Sequence, residues 1–256
     1  MSKLSEEDKF FDLSDYGRSY AKPIAVYFSK TRFNAVHVTW LFVLSAFISL
    51  YAIYKEYYVT AAFFLVLKSI LDAADGELAR LKNMPSYTGR FLDSVWDIVL
   101  NFLFLMLIAN VSNQSYLTAF FAFLLIQMQG TLYNYYYVIL RNQKVNADTT
   151  SRVFENKTPI AFPYESQFNV TLLFFLYKAF YGVFDYVVYQ VEKSASNVKH
   201  MPKWFMTFIS IYGLGFQLLI IALFLGLGLK EYIIIFFISY SLFIPLFIGL
   251  RKLFVR

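Results

Sequence analysis

The chain has 256 residues, of which 59% are hydrophobic and only 16% charged, against roughly 45–50% and about 25% in an ordinary soluble domain. With a mean hydropathy of +0.52, this excludes a soluble enzyme or a disordered chain, and the absence of cysteine excludes disulfides, thiolate nucleophiles and zinc–cysteine sites. The formal charge of +6 sits at the ends of apolar runs, which points to an anionic membrane surface and not to nucleic acid.

Residues 1–32 are mixed in charge, with no unbroken apolar core and no small-residue cleavage site, and read as a cytosolic N-terminal segment, not a signal peptide. Tyr20, Ile24 and Phe28 recur at i,i+4 with Arg18 and Lys22 elsewhere, the pattern of an interfacial helix that Pro23 would break or bend. Residues 33–256 read as one membrane domain. A bilayer core needs about 20 apolar helical residues. Six segments meet that length: 33–54, 57–80, 89–110, 115–140, 204–229 and 232–250, with Pro245 as a kink in the last.

The segment 168–190 is long enough to cross but carries Lys178 and Asp185. With six spans, Arg80, Lys82, Arg90, Arg141, Lys144, Arg152, Lys157, Arg251, Lys252 and Arg256 collect on one side, with Lys193, Lys199 and Lys203. The other side keeps only the Lys–Glu pairs at 55–56 and 230–231. A seventh span would move Lys193, Lys199 and the basic C-terminus across, so 168–190 reads as an interfacial or partly inserted elbow helix. Both termini and the polar loop 141–167 are then cytosolic. The expectation is an all-α integral membrane protein with six transmembrane helices and an N-terminal interfacial helix. It is multi-pass in the cell inner membrane or another cytosol-facing membrane.

The chemistry concentrates in 72–97, DAADGELARLKNMPSYTGRFLDSVWD. Asp72 and Asp75 are i,i+3 on one helix, and Asp93 and Asp97 are i,i+4 on the next, so each pair shares a face. The turn between the helices brings both pairs to similar depth. Four carboxylates so placed repel one another and are costly to desolvate unless cations are present. Hard oxygen ligands suit Mg²⁺, Mn²⁺ or Ca²⁺. Gly76 and Gly89 leave room for a ligand, Ala79 keeps the same face small, and Arg80 offers a bidentate donor to a phosphate oxygen. Two metals with that arginine would bind a diphosphate. Singly, these residues read equally well as a helix-dipole partner (Asp93) or small packing residues (Gly76, Gly89). The joint pattern carries the argument.

That segment resembles the signature of the CDP-alcohol phosphotransferase family, D-x-x-D-G-x-x-A-R-x(8)-G-x-x-x-D-x-x-x-D, at all eight fixed positions: Asp72, Asp75, Gly76, Ala79, Arg80, Gly89, Asp93 and Asp97. The resemblance implies a homodimeric membrane enzyme that cleaves the diphosphate of a CDP-linked donor, releases CMP and passes the phosphoryl-containing group to an alcohol. It implies a two-metal Mg²⁺ or Mn²⁺ site on Asp72, Asp75, Asp93 and Asp97, with Asp97 also the base for the acceptor hydroxyl. Asp72, Gly76, Ala79, Arg80 and Gly89 would hold the CDP moiety. The Pro-Asn-x-x-Thr-like stretch of relatives is met at 33–37 only by Asn34, with Phe33 and His37 at the other two places. The donor would be a CDP-linked lipid, CDP-diacylglycerol foremost, or a soluble CDP-alcohol. The acceptor would be a small alcohol or a lipid.

Arg90, Arg141, Arg152 and Lys157 stand near the expected cytosolic mouth and are candidates for binding a phosphorylated acceptor. His37 and His200 read as packing residues. The reading is thus a phospholipid-synthesising transferase whose active site faces the cytosol. A divalent-cation channel or transporter would also explain four intramembrane aspartates, but not the glycines, Ala79 and Arg80 at their spacing.

Overall fold

The computed structural model describes residues 4, 8–142, 155, 157–198 and 200–255. Among them every regular element is helical: α1 (Arg18–Ser29), α2 (Ala35–Tyr54), α3 (Tyr58–Leu81), α4 (Tyr87–Val111), α5 (Tyr116–Asn142), α6 (Gln167–Val191), α7 (Lys203–Ile209), α8 (Leu214–Gly226), α9 (Ile233–Tyr240) and α10 (Phe243–Phe254), with short 3-10 turns between some of them.

The expected spans 33–54, 89–110, 115–140 and 232–250 recur, and 204–229 recurs as a bent pair. The segment 57–80 is too charged to count by composition, and 167–191, expected to be an elbow, is apolar and long enough to count. Five apolar segments reach bilayer thickness: Ala35–Tyr54, Tyr87–Val111, Tyr116–Asn142, Gln167–Val191 and Lys230–Phe254. A sixth is formed if α7 and α8, bent by 49° across the intervening 3-10 turn, are counted together. This is a multi-pass membrane architecture. Helix α3 is comparably long, but Lys68, Asp72, Asp75, Glu77 and Arg80 fill its second half. It is nonetheless packed between α2 and α8. Ser45 and Ser49 of α2 donate to the Phe64 and Ala61 carbonyls, both at 2.8 Å, so these hydroxyls are satisfied inside the apolar bundle. The tight turns after α3 and α4 place Asn83 (φ 50°) and Asn113 (φ 52°) in the left-handed region, which asparagine tolerates.

Two sequence expectations meet a more detailed picture. Pro23 lies inside α1 without ending it. Helix α1 buries Ala21 and Ala25 against Val38, Ala74 and Leu78, so it lies on the stretch of α3 that carries the first two aspartates. Helix α6 is one uninterrupted apolar helix, long enough to cross. Its first turns pack on Phe91 near the start of α4. Tyr181 donates to the Ser94 carbonyl, and Glu192 just after α6 meets Tyr136 and Arg251 near the ends of α5 and α10. Both ends of α6 therefore lie at the end of the bundle where α4 begins and α5 and α10 finish. The helix lies across that end and leaves Phe168, Phe175, Val183 and Tyr186 exposed.

The N-terminal tail is fastened at the same end. The Leu13 amide donates to Ser210 Oγ at 2.9 Å, and the Tyr133 hydroxyl donates to Asp12 at 2.6 Å. A Cβ on Gly213 would lie 2.2 Å from the Ser14 Cβ, and one on Gly215 2.0 Å from the Ser14 carbonyl oxygen. Only glycine admits the tail there.

Candidate active site

The α3–α4 hairpin brings the signature residues together. One carboxylate oxygen each from Asp72, Asp75 and Asp93 lie within 4.8 Å of one another. Thr39 of α2 donates to Asp75 Oδ2 at 2.7 Å. Asp93 Oδ1 is buried with no hydrogen-bond partner. An orphaned carboxylate oxygen beside two converging ones is what a hard cation would satisfy. This cluster could coordinate one metal ion.

Asp97 stands beside the triad, bonded to the Lys68 ammonium. Lys68 is 1% exposed, lies 3.4 Å from Asp72 Oδ2 and sits 4.6 Å from the centroid of the Phe42 ring. It is not singled out in the sequence. The signal was its position four residues before Asp72, which puts both on one helix face. Thr39 had no such signal, because only the packing of α2 on α3 brings it to Asp75.

Arg80 Nη2 lies 3.1 Å from Glu77 Oε1, and Glu77 also accepts from Arg18 Nε at 2.7 Å. Arg18 in turn pairs with Asp15. Buried Nε and Nη2 of Arg80 make no well-formed hydrogen bond. The guanidinium is thus held in place with donors to spare for an anion. A Cβ on Gly76 would lie 3.4 Å from Arg80 Nη1, an ordinary contact, which places the guanidinium against the Gly76 position next to Asp75.

A cavity of about 150 Å³ opens between α2, the end of α3 and the start of α4, lined by Asn34, Ala79, Lys82, Ser86, Glu165 and Asn169 among others. Asn34 caps α2, accepting from the His37 amide, while the His37 side chain accepts from the Asn34 amide. That pairing is a capping box with histidine in the third position. It gives His37 a concrete local task. Ser86 caps α4 by accepting from the Gly89 amide at 2.8 Å, and a Cβ on Gly89 would crowd that oxygen at 3.2 Å. Glu165 accepts from Ser86 Oγ and the Thr88 amide, both at 2.7 Å, and from the Tyr87 amide at 3.2 Å. Burial pushes its carboxyl up, but these bonds outweigh burial and hold it below the usual carboxylate range. Sequence reading did not single out Glu165. Its role depends on the loop before α6 folding back onto α4.

The candidate acceptor residues divide. Arg90 pairs with Glu155 and lies over the rings of Phe91 and Tyr177. Arg141, in the last turn of α5, is within electrostatic reach of Arg80 and Arg90. Lys157 is exposed. Arg152 falls outside the described residues.

The family model for CDP-alcohol phosphatidyltransferases matches residues 31–208, which include the whole hairpin, the cavity lining and α6. Comparison with curated proteins and with solved structures gives no match. The match extends over more than half of the chain and contains all four aspartates, and on that ground the chain belongs to the CDP-alcohol phosphatidyltransferase family.

Proposed function

We propose that the protein transfers a phosphatidyl group from CDP-diacylglycerol to an alcohol acceptor and releases CMP. Family membership supports a CDP-alcohol phosphotransferase-type reaction and a CDP-linked substrate. The observation that carries the reading is the convergence of Asp72, Asp75 and Asp93 beside an arginine with unspent donors. Mg²⁺ or Mn²⁺, bound there, would supply positive charge to the diphosphate and the departing phosphate. Arg80 would bind the same diphosphate, with Gly76, Ala79 and Gly89 keeping the wall low for the CDP moiety. Asp97 would accept the acceptor's hydroxyl proton as the oxygen bonds to phosphorus and the bond to the CMP oxygen breaks. CMP then leaves as a phosphate monoester. Arg90, Arg141 and Lys157 are proposed to attract a phosphorylated acceptor.

We further read residues 1–32 as an interfacial segment and 33–256 as one membrane domain, acting as a homodimer in the cell inner membrane or another cytosol-facing membrane. The basic end carrying Arg80, Lys82, Arg90 and Arg141 faces the cytosol in this reading, as the positive-inside rule requires. A cation channel is disfavoured by Lys68, whose buried ammonium would repel an ion passing the aspartates.

The test is CMP release by the purified protein in lipid vesicles with Mg²⁺ or Mn²⁺. CDP-diacylglycerol would be offered with a panel of alcohols, and soluble CDP-alcohols with a lipid acceptor. Release with CDP-diacylglycerol and one alcohol is the expected result. Release only with a soluble CDP-alcohol would reverse the donor assignment, and no release with any pair would reject the reaction.

A further inference from the structure

We propose that the Lys68 ammonium is a resident cation of the aspartate centre. It stands on the Asp72–Asp97 side, so that the four carboxylates hold one divalent ion, on Asp72, Asp75 and Asp93, and not two. This rests on the metal-dependent reading above and specifies its cation count.

The ammonium is bonded to Asp97, and Asp72 Oδ2 lies 3.4 Å from it. A divalent ion bridging the same two carboxylates would meet it at contact distance, and two cations so close repel strongly in a buried setting. The walls also favour the lysine. Phe42 is fully buried and turns its ring toward Nζ at 4.6 Å, a surface that attracts a cation but cannot ligate a metal. Mg²⁺ keeps several of its waters when bound, and Lys68 at 1% exposure leaves them no room. An ammonium brings its own three donors and needs no water there. The triad side differs: its carboxylates converge, and the Asp93 Oδ1 atom is unpartnered. Lys68 is therefore a positioning residue for Asp97, holding that carboxylate off the metal.

The experiment counts bound Mn²⁺ per chain by electron paramagnetic resonance on the purified full-length protein in lipid nanodiscs, with Mn²⁺ alone and again with CDP. Wild type should bind one ion in both conditions. K68R, which keeps a cation, should also bind one, and K68M should bind two. Two ions in wild type, or one in a folded K68M, overturns the inference while leaving the metal-dependent reaction intact. No binding to wild type would overturn both. Should K68M fail to fold, the counts for wild type and K68R decide.

Discussion

Two buried charge clusters lie toward the basic end of this bundle, and they are built differently. Glu192 accepts from Arg251 Nε at 2.6 Å and Nη2 at 3.0 Å, and from the Tyr136 hydroxyl at 2.8 Å. Arg251 also donates to Ser194 Oγ at 2.7 Å. Every buried side-chain nitrogen and oxygen of that cluster has a partner, and the cluster fastens α5, α10 and the segment after α6. The aspartate centre sets four carboxylates against one lysine and leaves Asp93 Oδ1 without a hydrogen-bond partner, while Arg80 nearby on α3 has an ion pair to Glu77 but no well-formed hydrogen bond from Nε or Nη2. A structural ion pair closes on itself, whereas a binding site keeps unspent polar groups and surplus charge for its ligands.

The contrast is sharpest in Asp93→Asn. Turnover should fall by about 100-fold or more, the scale of losing one charge-stabilising group. Thermal stability should hold or rise, because repulsion among the carboxylates is relieved. A variant that melts early and turns over normally would make Asp93 structural. Arg251→Met should behave in the opposite way. It leaves buried Glu192 with the Tyr136 hydroxyl and, at 3.5 Å, the Lys252 ammonium, so the cost should approach but not exceed the roughly 3–5 kcal/mol of an uncompensated buried charge, while the folded fraction keeps its kcat. Denaturation in mild detergent, set beside CMP release per folded molecule, separates the two effects. A kcat loss in folded Arg251→Met would merge the clusters into one functional unit.

Asp97→Asn probes the border between them, since Asp97 is paired like Glu192 yet sits in the signature. The chemical step should slow by roughly 10²- to 10⁴-fold, with CDP affinity close to wild type. Collapse of CDP affinity with a surviving chemical rate would make Asp97 a binding residue. The smallest effect is expected at Glu165→Gln, about 1–2 kcal/mol from a weakened cap on α4. The carboxyl is held below its ordinary range, so its contribution is complete above the unfolded pKa of about 4.3. It is lost as pH falls through the lower folded value. Melting curves of wild type and Glu165→Gln should therefore converge in acid, and a gap that persists unchanged there would remove the charge from the explanation.

Much of this was legible in the chain itself. The apolar runs mark the spans because a bilayer core admits little else, and the i,i+3 and i,i+4 spacings put each aspartate pair on one face. The turn between the two helices is short enough that the pairs had to meet. Asn34 could be matched to its family position, but His37 could not. Its side chain is accounted for once the α2 capping box is seen. Helix α6 was ambiguous for a physical reason. Composition says whether a helix tolerates lipid, and only its contacts with α4 and α5 say how it lies.

The sequence by itself determined the membrane class, the signature hairpin and the reaction family, because these rest on local periodicity and on spacings within one hairpin. Tertiary structure decided the partners: Thr39 on Asp75, Lys68 between Asp72 and Asp97, Glu77 shared by Arg18 and Arg80, and Glu165 over the start of α4. Most of these contacts join residues tens of positions apart. Even Lys68, one turn from Asp72, reaches Asp97 only because α3 and α4 pack face to face, and no local pattern encodes that distance.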